Sequence, residues 1–205
     1  MAYRSGPLAS YVAEGTNYSF RLASPKDSEA IVRFYSSMDH ETLFMRFLSA
    51  YRNFEGHVRG IFPPENPSGF VILGEVEGAI VAEGESFMDG RRCAELAPLV
   101  HPSHRRRGLG SVTTALMVVE SARRGALCVE VFYHVENVPM TRIARSLGMK
   151  LGVVEEMMHG VVGAEEGVAR AMELLRRRGV ELYSAGQHPV REHREEAREH
   201  GREGQ

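Results

Sequence analysis

Leu99-Val-His-Pro-Ser-His-Arg-Arg-Arg-Gly-Leu-Gly110 carries an apolar, strand-like segment through an Arg/Gly turn into an amphipathic helix. Arg105, Gly108 and Gly110 stand in an Arg-x-x-Gly-x-Gly spacing. Beyond them Val112, Ala115, Leu116 and Val119 recur at i, i+3, i+4 and i+7, the repeat of one buried helical face. The glycines therefore fall at a helix N-terminus. Backbone N–H groups there lack intrahelical partners and the helix dipole adds partial positive charge, so a phosphate can be held at close range where side chains are absent. A Walker loop would need Gly-Lys-Ser/Thr at the helix start, and a dinucleotide turn would need Gly-x-Gly-x-x-Gly with an acidic residue further on. Neither pattern is present. The chemistry indicated is the grip of a pyrophosphate.

Two further stretches accompany this turn. Glu136-Asn-Val-Pro-Met-Thr-Arg-Ile-Ala-Arg-Ser-Leu-Gly-Met149 places Met140, Ile143, Ala144 and Leu147 on one apolar stripe, opened by a capping Asn137 and stopped by Gly148. Near the N-terminus, Ser24-Pro25-Lys26-Asp27 caps a helix with Pro at its first position, and Ile31, Phe34, Tyr35 and Met38 form a core stripe. The segment from Ile31 to Phe47 reads Phe-Tyr, Ser, Glu-Thr and Arg-Phe in order.

Together these stretches resemble the GNAT acetyltransferase superfamily, in which the Arg/Gly loop grips the pyrophosphate of acetyl-CoA and an Asn-initiated helix ends Leu-Gly-Phe. Here Met149 stands for that Phe. The wording Glu-Asn-x-x-Met-x-x-x-Ala-Arg-x-Leu-Gly resembles the Pat-type protein lysine acetyltransferases in particular, and the likeness runs from about residue 18 to residue 162. It implies an α/β (α+β) fold with a mixed central sheet whose central strands splay to admit pantetheine. It also implies acetyl-CoA as donor, protein lysine ε-amines as acceptors, and direct attack in a ternary complex. Leu99, Val100, Arg105, Arg106, Arg107, Gly108, Leu109, Gly110, Ser111, Asn137 and Met140 are the implied cofactor contacts.

A lysine with a pKa of about 10.4 is only about 0.04% neutral at pH 7, so a base must take its proton before attack. Glu95, in Cys93-Ala-Glu-Leu-Ala-Pro-Leu-Val100, matches the Ala-Glu-x-Ala in which the resembled enzymes carry that base. Its apolar neighbours would raise its pKa toward working pH on burial. The acetyl oxygen needs a backbone N–H from the same strand. Pro98 has none, which leaves Ala97 or Leu99 as donor, with Val100 and His101 along the pantetheine path. The family's thiol-protonating Tyr falls on Ala144, so the thiolate leaves unprotonated or by way of water, or takes its proton from Tyr133 or His134, the two candidate acids, and strand alternation decides which of these points inward. Glu41 and Arg46 lie in the helical pair that walls the family's acceptor groove, Glu41 suited to a basic substrate. His101 and His104 are separated by a Pro, and no carboxylate or Cys completes a metal set, so no metal is expected. Two other readings are a small-molecule amine or amino-acid N-acetyltransferase, and an acyl-CoA sensor that would need the loop but no base.

These residues must be positioned by one domain. The chain has 205 residues, 43% hydrophobic, with a net charge of −2, enough for a sizeable core and no case for nucleic-acid binding. Strands are expected near 18–23, 69–76, 79–88, 93–100, 127–132, 149–153 and 155–162, about seven in all. Helices are expected near 25–37, 40–50 and 109–124 and after Asn137, flanking the sheet. Residues 1–17 read as an N-terminal extension, 18–162 as the acetyltransferase domain, and 163–205 as a helix followed by an Arg/Glu-rich tail that stays partly disordered. No apolar run approaches a membrane span and no secretory leader pattern opens the chain, so a cytoplasmic monomer or homodimer is expected. Cys93 and Cys128 read as buried free thiols.

Overall fold

The computed structural model describes residues 7–62, 66, 68–88 and 90–183. In chain order it contains β1 (Pro7–Ala13), β2 (Thr16–Leu22), α1 (Ser28–Ser36), α2 (His40–Phe47), α3 (Phe54–Gly60), β3 (Phe70–Val76), β4 (Ala79–Met88) and β5 (Cys93–Val100). The second half contains α4 (Leu109–Arg123), β6 (Cys128–His134), α5 (Val138–Ser146), β7 (Lys150–Val154), β8 (Met157–Gly163), α6 (Ala164–Arg177) and β9 (Glu181–Leu182). All strands join one sheet in the order β7-β8-β6-β5-β4-β3-β2-β1-β9. Every pairing is antiparallel except β5 with β6.

Nine strands stand where about seven were expected. The two additions are β1, within the stretch read as an extension, and the two-residue β9, which pairs with β1. A hairpin through Glu14 and Gly15, both at positive φ, returns β1 onto β2. The apolar signal of β1 is thin, since only Ala9 and Tyr11 are fully buried. The helix α3 was not anticipated either. Asn53 caps it by accepting the Gly56 N–H at 3.0 Å, and Val58 is its one buried residue. The Arg/Glu-rich tail lies outside the described residues.

The sheet separates two cores. On one face α4, α5 and α6 pack over Tyr18, Phe20, Ile72, Ala94, Leu96, Val129 and Val131. On the other, α1, α2 and α3 pack over Val71, Leu73 and Leu99 through Ile31, Phe34, Tyr35, Leu43 and Val58. The chain after Gly163 belongs to the first core, because α6 buries Ala171 and Leu175 against it. Each core is removed from water on both sides, and that apolar burial, at roughly 25 cal/mol per Å², is what holds the layers to the sheet.

The parallel pair sets the shape of the centre. β5 and β6 are in register only at Cys93–Cys128, Ala94–Val129 and Glu95–Glu130; beyond Glu95 they part. Cys93 and Cys128, expected as free thiols, are joined in a disulfide at the closed end of this fork, with Cα atoms 4.6 Å apart. They are 35 residues apart in sequence, and only the parallel register sets them opposite.

Candidate functional site

The Arg/Gly turn crosses the open end of the fork. Gly108 is the N-cap of α4 and takes φ +87°, a left-handed conformation that suits a residue without Cβ. A methyl group there would run into the Arg178 guanidinium and the Tyr11 hydroxyl. The first intrahelical bond is Val112 N–H to Gly108 O, so the N–H groups of Leu109, Gly110 and Ser111 have no intrahelical acceptor. Those of Gly110 and Ser111 open into a cavity of about 1130 Å³. Its apolar end is formed by Met45, Pro98, Leu99, Val100 and Met140, and its basic end by Arg105, Arg106, Arg142, Arg170, Arg177 and Arg178. Such a space, an anion cradle continuous with an apolar channel along the end of β5, fits a long phosphorylated pantetheine carrier.

Pro98 shows why the strand reads as it does. His101 N–H donates to Val81 O at 2.9 Å, so by alternation the N–H groups of Leu99 and Ala97 face β4. Pro98 and Val100 face the fork. The missing N–H of Pro98 therefore costs no ladder bond, and Val100, not the expected Ala97 or Leu99, aims its N–H at the open side.

The structure gathers most of the anticipated residues around this cavity and excludes some. Leu99, Val100, Arg105, Arg106, Gly108, Gly110, Ser111, Asn137, Met140, Glu41 and Arg46 all line it. Asn137 caps α5, accepting the Met140 N–H at 3.1 Å. Two expected contacts do not line it. Leu109 is 1% exposed and belongs to the core. Arg107 turns back to β1 and β2, where it donates to the Tyr18 hydroxyl at 2.9 Å and pairs with Glu14 at 3.1 Å. Arg105 donates to Thr42 Oγ1 at 2.6 Å, which fastens the turn to α2.

Glu95 sits at the foot of the fork, on the sheet face beneath α1–α3, in register with Phe87 of β4 and Glu130 of β6. It is an exposed residue outside the cavity lining. The surrounding sheet nonetheless withdraws enough water that burial, then the Glu130 carboxylate, raises its pKa, with Arg46 pulling the other way. Glu130 is held by His159 at 2.9 Å and Arg91 at 3.0 Å. Alternation splits the two candidate acids between faces. Tyr133 is 3% exposed in the α4–α6 core, its hydroxyl without a hydrogen-bond partner among the described residues. His134 lies on the Glu95 face, its ring 5.8 Å from Phe44 of α2. Neither lines the cavity.

A buried polar network beside Glu95 escaped the sequence reading. The Tyr35 hydroxyl donates to Glu85 at 2.7 Å and to Glu83 at 3.0 Å, while Glu85 also meets Arg46 and His57, each at 2.6 Å. Burial pushes both carboxyls up. For Glu83 the adjacent Glu85 adds to this and its pKa rises well above the ordinary range, whereas Arg46 and His57 overturn it for Glu85 and hold it at about 2. Arg46 is thus committed to an internal ion pair. Glu83 and Glu85 alternate in β4 as residues of a solvated face would, and only the cover of α1–α3 encloses them. The α6 arginines were equally hidden, since an Arg run at a helix end is what the dipole alone would favour.

A sheet of this order, forked at its one parallel pair with an Arg/Gly turn at the mouth, is the fold of the GNAT acetyltransferases. The GNAT domain of PAT from S. lividans superposes with a TM-score of 0.70 at 17% identity, covering 79% of this chain and 99% of that one. The yncA protein of Salmonella typhimurium, solved with acetyl-CoA, gives 0.61 at 20% identity over 73% of this chain and 95% of its own. A cAMP-binding acyltransferase from Mycobacterium smegmatis gives 0.53 at 18% identity, covering 85% of this chain and 56% of that one. No family model matches the sequence. Among the described residues no helix is long and apolar enough to cross a membrane.

Proposed function

We propose that this chain is a cytoplasmic N-acetyltransferase that takes its acetyl group from acetyl-CoA and delivers it to lysine ε-amines of other proteins. The observation that carries the reading is the continuity of the end of β5, beyond its paired register with β6, with the anion cradle at the start of α4. When bound, acetyl-CoA supplies the activated acyl group. Gly108, Gly110 and Ser111 with Arg105 and Arg106 hold its pyrophosphate, and Leu99, Pro98 and Met140 exclude water along its arm. Val100 N–H, free on the fork side, is the donor for the acyl oxygen.

Glu95 accepts the amine proton, directly or through one water. Its raised pKa brings its proton affinity closer to the working pH, which suits a general base. Glu41 and the carboxylates around the fork favour a cationic acceptor. The protein-lysine assignment rests on the Pat-like wording of the helices, with the S. lividans PAT domain sharing the fold.

The test is transfer from labelled acetyl-CoA to a native protein lysate and, in parallel, to a panel of small amines, with wild type and Glu95→Gln. Labelled protein bands lost in the variant are the expected result. Labelling of small amines alone would replace the acceptor class, and tight binding without transfer would leave a sensor.

A further inference from the structure

The cavity has more positive charge than a pyrophosphate needs, and it comes from an element outside the motifs. α6 packs along α4 through Ala171 and Leu175, which carries its C-terminal end to the mouth of the Arg/Gly turn. Arg170, Arg177 and Arg178 thereby join Arg105 and Arg106 around one space. Their commitments differ. Arg176 and Arg177 share the Glu173 carboxylate, and Arg170 lies 4.0 Å from Glu166. Among the described residues Arg178 has no carboxylate within ion-pair distance. Its guanidinium stands over Gly108, where a single added methyl would strike it. The dipole of α6 favours a cation at this helix end but gives no reason for the side chain to fold onto the cradle.

The turn itself is short of free cations. Arg107 is turned away to Tyr18 and Glu14, which leaves Arg105, with one N–H on the Thr42 hydroxyl, and Arg106 beside the helix N–H groups for a diphosphate. A monoester phosphate carries about 1.5 to 2 further negative charges at neutral pH. We infer that Arg178, supported by Arg177, is a second phosphate site, built by the C-terminal helix, that takes the 3′-phosphate on the ribose of CoA and makes the chain discriminate CoA from its 3′-dephospho form. This rests on the acyl-CoA reading above.

Binding of acetyl-CoA and of 3′-dephospho-acetyl-CoA by calorimetry, on the full chain, tests it with wild type and Arg178→Gln. Wild type should prefer acetyl-CoA by about tenfold or more, as one charge-assisted phosphate contact supplies. Arg178→Gln should cut that ratio below about threefold by weakening acetyl-CoA while leaving the dephospho form within about twofold. A ratio unchanged in the variant, equal weakening of both ligands, or a wild type that binds both alike would overturn the site while leaving the acyl-CoA reading standing. Binding of neither by wild type would remove both. Because Arg178 is exposed and has no ion pair among the described residues, the melting temperature of the variant should match wild type, which separates a lost contact from a lost fold.

Discussion

At the scale of single residues, Glu95 and Glu130 face each other across the last paired rung before β5 and β6 separate. A base works in its ionised form, and the pKa of Glu95 is raised, so kcat/KM should climb with pH along a limb displaced above the ordinary carboxylate range. Glu95→Gln should lower kcat by about 10²- to 10⁴-fold, and Glu130→Gln should move the limb to lower pH by removing the neighbouring charge. A pH profile from about pH 4 to pH 9 checks both; a limb unmoved in Glu130→Gln would show that the two carboxyls do not interact. The Tyr35 network makes a separate statement about stability. The Glu85 pKa is depressed from 4.5 to about 2, so its stabilisation is present above 4.5 and is lost as pH falls through that window. Glu83 has the opposite sign: its contribution is present below 4.5 and lost as pH rises toward its raised value. Glu85→Gln should cost about 3–5 kcal/mol by leaving Arg46 buried without its counter-charge. Glu83→Gln, fixed in the neutral form, should match or exceed wild type at pH 8; urea denaturation of the two variants decides.

At the scale of elements, the start of α4 and the start of α5 are built differently although both line one cavity. α4 begins on a left-handed Gly108 with no side-chain cap, leaving its N–H groups available, while α5 begins on Asn137, whose carboxamide satisfies Met140 N–H. Gly108→Ala should therefore cost about 1–2 kcal/mol for the left-handed backbone and also displace Arg178 and Tyr11. Acetyl-CoA affinity should fall well beyond what the stability loss predicts. Asn137→Ala should cost about 1 kcal/mol, with binding weakened only modestly. Thermal melts and binding isotherms on both variants separate cap from cradle: equal loss of affinity in the two would show that the open N–H groups of α4 play no special part. These helix starts were legible from Gly, Asn and the apolar repeats around them, because capping is a local affair. α3 was not, because seven residues with one buried side chain give no periodicity to read.

Across the whole molecule, two long-range features hold the fork. The disulfide ties β5 to β6 at its closed end, and α6 braces α4 from outside the motif-bearing segment. Closing a 35-residue loop stabilises by about 2–4 kcal/mol, so reduction, or Cys93→Ala with Cys128→Ala, should lower the unfolding free energy by that amount. Thiol titration of the unfolded, unreduced protein should find no reactive thiol; two would mean that the bridge is absent in solution. Removal of α6 from Ala164 onward should leave the α4 face uncovered and the protein poorly soluble, since Ala171 and Leu175 are buried there.

The Arg/Gly turn, the Asn-capped helix and the alternating strands were all present in the order of residues, since caps, periodicity and a short motif depend on neighbours in sequence. What the tertiary structure decided depends on neighbours in space. The parallel register joined Cys93 to Cys128 and set Glu95 against Glu130; the packing of α4 on the sheet sent Leu109 to the core, and strand alternation, with the hydrogen bond at His101, gave Val100 the open side of the fork. The cover of three helices turned Glu83 and Glu85 from what reads as a solvated face into a buried network. Packing of α6 on α4 brought Arg178 to Gly108 from 70 residues away. A side chain's partners across such distances are fixed by the burial of whole faces, and no local pattern in the chain specifies them.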